Sequence, residues 1–531
     1  MTWIKAHRQD VLIGVVAALA VVIFVIVSES LHTVGFPLDD SWIHQTYARN
    51  LAERGEWAFV PGESSVASTS PLYTVLLSVG YVLTIPFFIW TFALGALALA
   101  GAGWIGSCLG PVLFPELPGV SLWTGLAMVL LWHLVWAAAS GMETMLFATL
   151  SLAVVGLAWR ELNAENNHPR AVLGRGTVLG LVGAALTLTR PEGVGLVALT
   201  GLAMAWFYAG QEGGWRTCLF WGGGVALGWC VGVLPYLALN YHIEGTLLPN
   251  TSSAKQAENA PARALPLLER YGRMLLPLVA GGQLILLPGF GVALYGIGRR
   301  VRTDRKAVPL LVPLMWTIVL ISAYAIRLPA PYQHGRYVIP VLPHIVLYGV
   351  GGTLRIVQAG RSTPVRRVLS RSLGLSAALI TLGFCVIGAQ QYARDVRIIN
   401  TEMVDTAHWV KDNLPPDELL AVHDIGALGY YAPRPILDLA GLVSPEIVPI
   451  ILDHEALMQL MCERDARYLM VLPDQLPAKP DDPRLGTETQ FDAVSGQYVA
   501  KPLFTTDAPY SPAAGGGNMT IYELRWPQGC R

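Results

Sequence analysis

VLIGVVAALAVVIFVIV at residues 11–27, followed by FPLDDSWIHQTYARNLAERGEWAFVPGESSVASTSPLY at 36–73, is the stretch on which the fold turns. The first segment is continuous and apolar, close to the ~20 residues that a helix needs to cross a bilayer. The second is polar and opens on two adjacent carboxylates, Asp39 and Asp40. Lys5 and Arg8 precede the apolar run, a shape shared with signal peptides, but Ser28-Glu29-Ser30 makes a poor small-x-small cleavage site. The run is therefore read as an uncleaved first helix that delivers an acidic loop to the far side of a membrane.

Composition agrees. The 531 residues are 53% hydrophobic and only 14% charged, against about a quarter charged in soluble globular domains. A simple soluble enzyme and a disordered chain are both excluded. With 36 Lys+Arg against 37 Asp+Glu there is no basic surplus, so no nucleic-acid partner is expected. The six cysteines (108, 218, 230, 385, 462, 530) are scattered and form no CxxC pair, so the spacing suggests neither a zinc site nor a disulfide framework. Sequences of P-loop, HExxH and GxSxG type are missing. The 16 Trp and 19 Tyr are read mainly as interface belts and core, with Trp42, Trp57 and Tyr73 kept in view beside the acid pair.

Apolar runs fill most of residues 11–393. From 394 onward, charge, proline and short alternating runs replace them, which predicts a membrane domain over 1–393 and a soluble α/β domain over 394–531. Positive loops favour the cytoplasm. The basic loops are Arg299–Lys306, Arg355–Arg371 and, more weakly, Arg160–Arg175. Four crossings between residues 70 and 160 would invert every later loop against its charge. Three restore agreement, so one run must lie along the interface. The run 71–87 is the candidate, because Ser68-Thr69-Ser70-Pro71 precedes it, Tyr81 interrupts it and Pro86 ends it. About eleven spans follow, near 11–27, 88–108, 120–139, 142–159, 176–189, 193–209, 217–239, 275–297, 308–326, 337–354 and 373–393. The terminal domain then lies outside.

Ionisable groups inside a membrane region are functional candidates by default. Here they gather at the predicted outer ends: Asp39 and Asp40, Glu143, Arg190 and Glu192 around a helix break, Lys255, and the His334, Arg336, Tyr337 group. The bland reading of each is capping or helix-end solvation. Together, separate segments deliver carboxylates and cations to one face. A carboxylate tuned by its neighbours can act as a base. Oxygen ligands can hold Mg²⁺ or Mn²⁺, and Asp40 and Glu143 are the candidates. Arg and Lys recognise phosphate, Arg through a two-pronged fork. The combination suits transfer from a lipid-phosphate donor. His44 is read as a local hydrogen-bonding residue, with a metal role as the alternative.

The ordered set of the acid-pair loop, SGMET (140–144), LTRPEG (188–193), PNTSSAKQ (249–256), GRYVIPVLP (335–343) and DIGALGYYAPRPILDLAGL (424–442) resembles the GT-C glycosyltransferases. These are polytopic membrane enzymes that use polyprenyl-phosphate sugars. The chain looks most like the bacterial subgroup of terminal arabinofuranosyltransferases, and is similar to the protein mannosyltransferase and lipid A aminoarabinose transferase group. The resemblance implies an outward-facing site in a bacterial plasma (inner) membrane. Donor and acceptor would be a polyprenyl-phosphate sugar and a cell-envelope glycan, lipid or protein. It implies Asp39 or Asp40 as base or metal ligand, with Glu143 as the matching acid after the third span. Arg336, with Lys255, Arg190 or His334, would sit at the donor phosphate. It also implies a juxtamembrane helix after the first loop. Many relatives carry an aromatic and an Arg four to six residues after the acid pair. Here those positions hold His44, Gln45 and Thr46, so an arabinose donor is not carried over. Asp424, Tyr430 and Asp438 match the terminal domain and are read as acceptor handling or structure. The rival from another class is a transporter or flippase of lipid-linked sugars, which the broken helices near 190–192 also fit.

Overall fold

The computed structural model describes residues 7–165, 168–359, 363–476, 499–511 and 517–526. The first apolar run forms one helix, Arg8–Leu31, and the polar loop after it folds into a second, Asp40–Arg54. Among the described residues, nine helices are long and apolar enough to cross a bilayer. A tenth is possible if Val120–Leu130 and Trp132–Ala139, bent by 55° at Leu131, make one span. The eleventh expected span is the helix Gly193–Ala209. Its 17 residues rise only about 25 Å, short of a ~30 Å hydrocarbon core. The run assigned to the interface is a helix of just 12 residues, Pro71–Val82, which is too short to span.

Small residues set the closeness of helix packing. Gly176 and Gly180 on the helix Pro169–Thr189 face Gly224 and Gly228 on Gly214–Glu244. A Cβ at Gly180 would lie 2.2 Å from the Val225 carbonyl oxygen, and one at Gly228 would lie 2.3 Å from that of Thr177. Backbones this close leave no room for side chains and gain dispersion in return. Gly180→Leu is expected to cost about 1–3 kcal/mol through overpacking. Gly174→Leu on the same helix, where nothing lies within 4 Å, should leave the melting temperature unchanged. Thermal unfolding in detergent compares the two. Outward positions such as Leu202, Leu219 and Val231 are exposed and apolar, as a lipid-facing surface requires.

The chain then runs through one helical stretch, Pro364–Asn413, with a single π-helical turn at Asn400–Val404. The expected boundary between 393 and 394 falls inside it. Strands β1 (Ala58–Val60) and β2 (Glu63–Ser64) pair antiparallel after the acid-pair helix. Beyond the long helical stretch come β3 (Leu420–Val422), β4 (Ile436–Asp438), β5 (Tyr468–Val471), β6 (Val499–Thr505) and β7 (Thr520–Arg525), which form a five-stranded sheet in the order β4-β3-β5-β7-β6. β4, β3 and β5 are parallel; β7 and β6 are antiparallel additions. Strand alternation sends Val422, Met470 and Ile521 to one face and Ala421, Leu469, Val471 and Leu524 to the other. The second face is covered by the helix His454–Glu463 through Leu457 and Met461. The first shares one continuous core with Trp42, Tyr47, Trp57 and Phe59 of the acid-pair segment. Cys462, on the covering helix, is disulfide-bonded, a bond that the scattered cysteine spacing does not announce. Cys108, Cys218, Cys230 and Cys385 are free thiols.

Candidate active site

Asp39 and Asp40 are adjacent, yet they face different surroundings. Asp39 is the N-cap residue and Asp40 the first residue of the helix Asp40–Arg54. Asp40 lines a cavity of about 300 Å³ at the ends of several membrane helices. One of its oxygens, Oδ2, accepts from Lys255 Nζ at 3.1 Å and from an Arg336 terminal nitrogen at 2.6 Å. Burial pushes the Asp40 carboxyl up, but these two cations outweigh burial and hold it well below the usual carboxylate range.

The Arg336 guanidinium also donates to the Tyr337 hydroxyl at 3.0 Å. Its remaining nitrogens, Nε and the second terminal nitrogen, are buried without a hydrogen-bond partner. The backbone just before it is strained. Gln333, His334 and Gly335 all have positive φ (54°, 58° and 70°), and the first two are not glycine. This left-handed turn replaces the regular helix start expected at 337, and the continuous helix begins only at Leu342.

A second charged group lines the same cavity. Glu143 follows Gly141, whose φ of +74° turns the chain between two helices. It meets His44 Nε2 at 3.3 Å and Arg190 at 3.2 Å. Arg190 also reaches Glu192 at 3.3 Å and the Tyr324 hydroxyl at 2.6 Å. Ser41 donates to the Ser140 carbonyl at 2.7 Å and so ties the acid-pair helix to the Glu143 loop.

The cavity thus brings together Asp40, Glu143, Arg190, Glu192, Lys255, Arg336, Tyr337 and His44. It omits two expected residues. His334 is not on its wall: its Nε2 lies 2.7 Å from Asp395, and its ring sits edge-on to Trp132 and Trp136. The Gln333–Gly335 turn is what directs it there. Asp39 points the other way, into the C-terminal layer. Its carboxylate accepts from the backbone N–H groups of Gly426 (2.7 Å) and Ala427 (2.8 Å). Burial, followed by the nearby Asp424 carboxylate, pushes Asp39 up to about 7 despite those bonds.

Among the lining residues that sequence reasoning did not single out are Tyr324, Arg327 and Leu442. Arg327 was legible as a cation at a predicted outer helix end, against the usual charge bias. Among the described residues no carboxylate pairs with it. Leu442 ends the quoted stretch 424–442, but nothing in that stretch points it at the site, because it comes from the loop after β4. There the Asp438 carboxylate accepts from the backbone N–H groups of Ala440, Leu442 and Val443.

The donor set does not fit a divalent ion. Asp40 and Glu143, the two expected ligands, already meet protein cations: Lys255 and Arg336 at Asp40, and Arg190 at Glu143, which also lies 3.3 Å from His44 Nε2. Among the described residues, no group of three or more His, Cys, Asp or Glu could hold a metal. Four cations (Arg190, Lys255, Arg327, Arg336) against three carboxylates (Asp40, Glu143, Glu192) suit an anion instead.

Deeper in the same interface, His423 stands 3.4 Å from Asp424 and 3.8 Å from Glu258. Burial lowers its pKa, but Asp424 and then Glu258 prevail and lift it to about 9, above the 6.5 of an unfolded chain. A raised histidine stabilises the fold fully below pH 6.5, and that stabilisation is lost as pH rises through 9. Melts of the full chain at pH 6 and pH 9.5 should show a loss of up to about 3 kcal/mol that His423→Gln lacks. Equal pH dependence in the two proteins would remove His423 from this role.

Residues 386–522 match the family model described as "Domain of unknown function (DUF8728)". No curated protein sequence matches the chain. Among solved structures, ArnT from Cupriavidus metallidurans bound to undecaprenyl phosphate is similar at a TM-score of 0.57 and 15% identity, over 96% of this chain and 97% of that one. The Archaeoglobus fulgidus oligosaccharyltransferase in its apo form is similar at a TM-score of 0.63 and 12% identity, over 89% of this chain and 70% of that one. The same enzyme has a structure in complex with zinc and sulfate, similar at 0.61 and 12% identity, over 87% and 68%. At such identities the likeness is one of fold: the chain has the polytopic helical fold of these solved structures.

Proposed function

We propose that this protein is a membrane glycosyltransferase. It moves a sugar from a polyprenyl-phosphate donor to a glycan, lipid or protein acceptor of the cell envelope, on the outer face of a bacterial plasma membrane. The observation that carries this reading is the cavity in which Asp40 shares two cations, one of them Arg336 with buried, unpartnered nitrogens. A phosphate oxygen entering the cavity meets the two cations, Lys255 and Arg336, that line it beside Asp40. The disulfide at Cys462 supports placing the C-terminal layer outside, since such bonds persist in oxidising compartments. In the ArnT structure the bound molecule is undecaprenyl phosphate, which supports the donor class.

In the reaction, the acceptor hydroxyl attacks the anomeric carbon, the bond from that carbon to the phosphate oxygen breaks, and polyprenyl phosphate leaves. Asp40 takes the hydroxyl proton. Arg336 and Lys255 stabilise the charge that grows on the leaving phosphate. As the phosphate draws on the two cations, Asp40 loses part of the field that keeps it a weak base, and its proton affinity rises. Arg190, fixed by Glu143 and Glu192, forms the far wall with Tyr337 beneath it at 5.2 Å. The two carboxylates are met by protein cations, so this chemistry is read as metal-independent.

Transfer of label from a panel of radiolabelled polyprenyl-phosphate sugars to membrane acceptors tests the reading. Label transfer that survives EDTA is expected. Donor movement across vesicles with no transfer from any donor would favour the flippase instead.

A further inference from the structure

We propose that Asp39 is a positioning residue. It is a latch through which docking of the C-terminal layer sets the geometry of Asp40 and Lys255 in the cavity. Its functional meaning rests on the anion-site reading above. Four observations place the C-terminal layer on the site rather than beside it. First, the two Asp39 oxygens accept from consecutive N–H groups, those of Gly426 and Ala427, which turns the carboxylate into the C-terminal layer and off the cavity wall. Second, the approach is so close that only glycine fits opposite: a Cβ on Gly426 would lie 2.0 Å from the Asp39 carbonyl oxygen. Third, the acid-pair helix is gripped along its length. Trp42 packs on Tyr430 and Tyr431 at 5.1 and 4.9 Å, and Arg49 donates to the Tyr430 carbonyl at 2.9 Å while lying over its ring. Fourth, the helix Thr251–Glu258 that carries Lys255 is held by the same layer. The side chain of Asn250, the residue before it, donates to the Gly441 carbonyl at 2.8 Å.

The consequence is geometric. Asp40 and Lys255 are 215 residues apart, on separate short helices, and their ion pair is 3.1 Å long. Each helix has an anchor on one rigid loop-and-sheet unit: Asp39 on Gly426-Ala427, and Asn250 on Gly441. That unit also supplies Leu442 to the cavity wall. A preorganised charged site needs its groups held to within a fraction of an ångström, roughly 0.5 Å. Adjacent carboxylates thus divide the work: Asp40 faces the substrate, and Asp39 fixes where Asp40 stands.

The test uses the full chain in detergent, with variants that open the latch from each side. Asp39→Asn removes one acceptor and turns an N–H toward an N–H. Gly426→Ala leaves Asp39 intact and pushes it away. Arg49→Ala, a peripheral anchor, provides a milder third variant in case the first two fail to fold. Two readouts are taken: the rate at which an acylating reagent modifies Lys255, and affinity for undecaprenyl phosphate. Hydrogen exchange at residues 426–427 reports the latch itself. Folded variants are expected to exchange faster there, to expose Lys255 to modification about fivefold faster, and to bind undecaprenyl phosphate about tenfold more weakly. Opened amides with unchanged Lys255 modification and unchanged affinity would overturn the proposal. A wild type that binds no undecaprenyl phosphate, while Lys255 still responds to the latch, would overturn the donor reading and leave the positioning role standing.

Discussion

Replacing Asp40 with Asn is expected to lower turnover by about 10²–10⁴-fold, the span seen when a general base is removed. The amide keeps the shape of the carboxylate and cannot take the acceptor proton. Undecaprenyl phosphate should still bind, because Arg336 and Lys255 remain and no longer share themselves with a protein anion. Loss of turnover with binding retained is the signature to look for. The pH profile adds a second check. The two cations hold Asp40 below its ordinary value of 3.8, so it is already ionised in the free enzyme near pH 5. The profile of kcat/KM should therefore show no acidic limb from this residue between pH 5 and 8. An Asp40→Asn protein with full transferase activity would remove the base from this position.

Arg336→Ala carries the other large effect, this time on donor binding. Arg336 is 4% exposed and bonds both Asp40 and Tyr337, with two nitrogens left over. Removing a buried, charge-assisted partner costs about 3 kcal/mol, roughly a hundredfold in affinity. Arg336→Lys should recover only part of this, because an ammonium lacks the planar fork that meets two phosphate oxygens at once. Isothermal titration with undecaprenyl phosphate in matched detergent measures both. Wild-type affinity in the alanine variant would place the phosphate elsewhere in the cavity, with Arg190, Lys255 and Arg327 as the remaining cations.

Much of the molecule is legible without coordinates. Spanning helices announce themselves by length and apolar content, since every backbone polar group in lipid must bond within its own helix. The run 71–87 reads as non-spanning from the charge of the later loops, and the helix it forms, Pro71–Val82, has only 12 residues. The site residues are also visible as charges that would be costly at membrane-helix ends unless partnered. Most of them do converge on one cavity: Asp40, Glu143, Arg190, Glu192, Lys255 and Arg336.

Other features depend on the third dimension. His334 reads as a phosphate ligand beside Arg336, but three consecutive left-handed residues turn it to Asp395. Leu442 is one apolar residue among many until the Asp438 loop folds it over the cavity. Asp39 and Asp40 are equivalent as letters. Successive residues at a helix start leave the axis about 100° apart, so only one of them faces the cavity, and the pattern of charges does not say which. By itself the amino-acid order determined a polytopic helical chain with an acid pair and a set of cations on one face. That much follows from hydropathy and the cost of burying charge. Which carboxylate meets the cations, and which holds the C-terminal layer, was decided only by tertiary packing. The partners lie 215 residues from Asp40 in one case and 387 from Asp39 in the other, and local propensity has no term for contacts at that range.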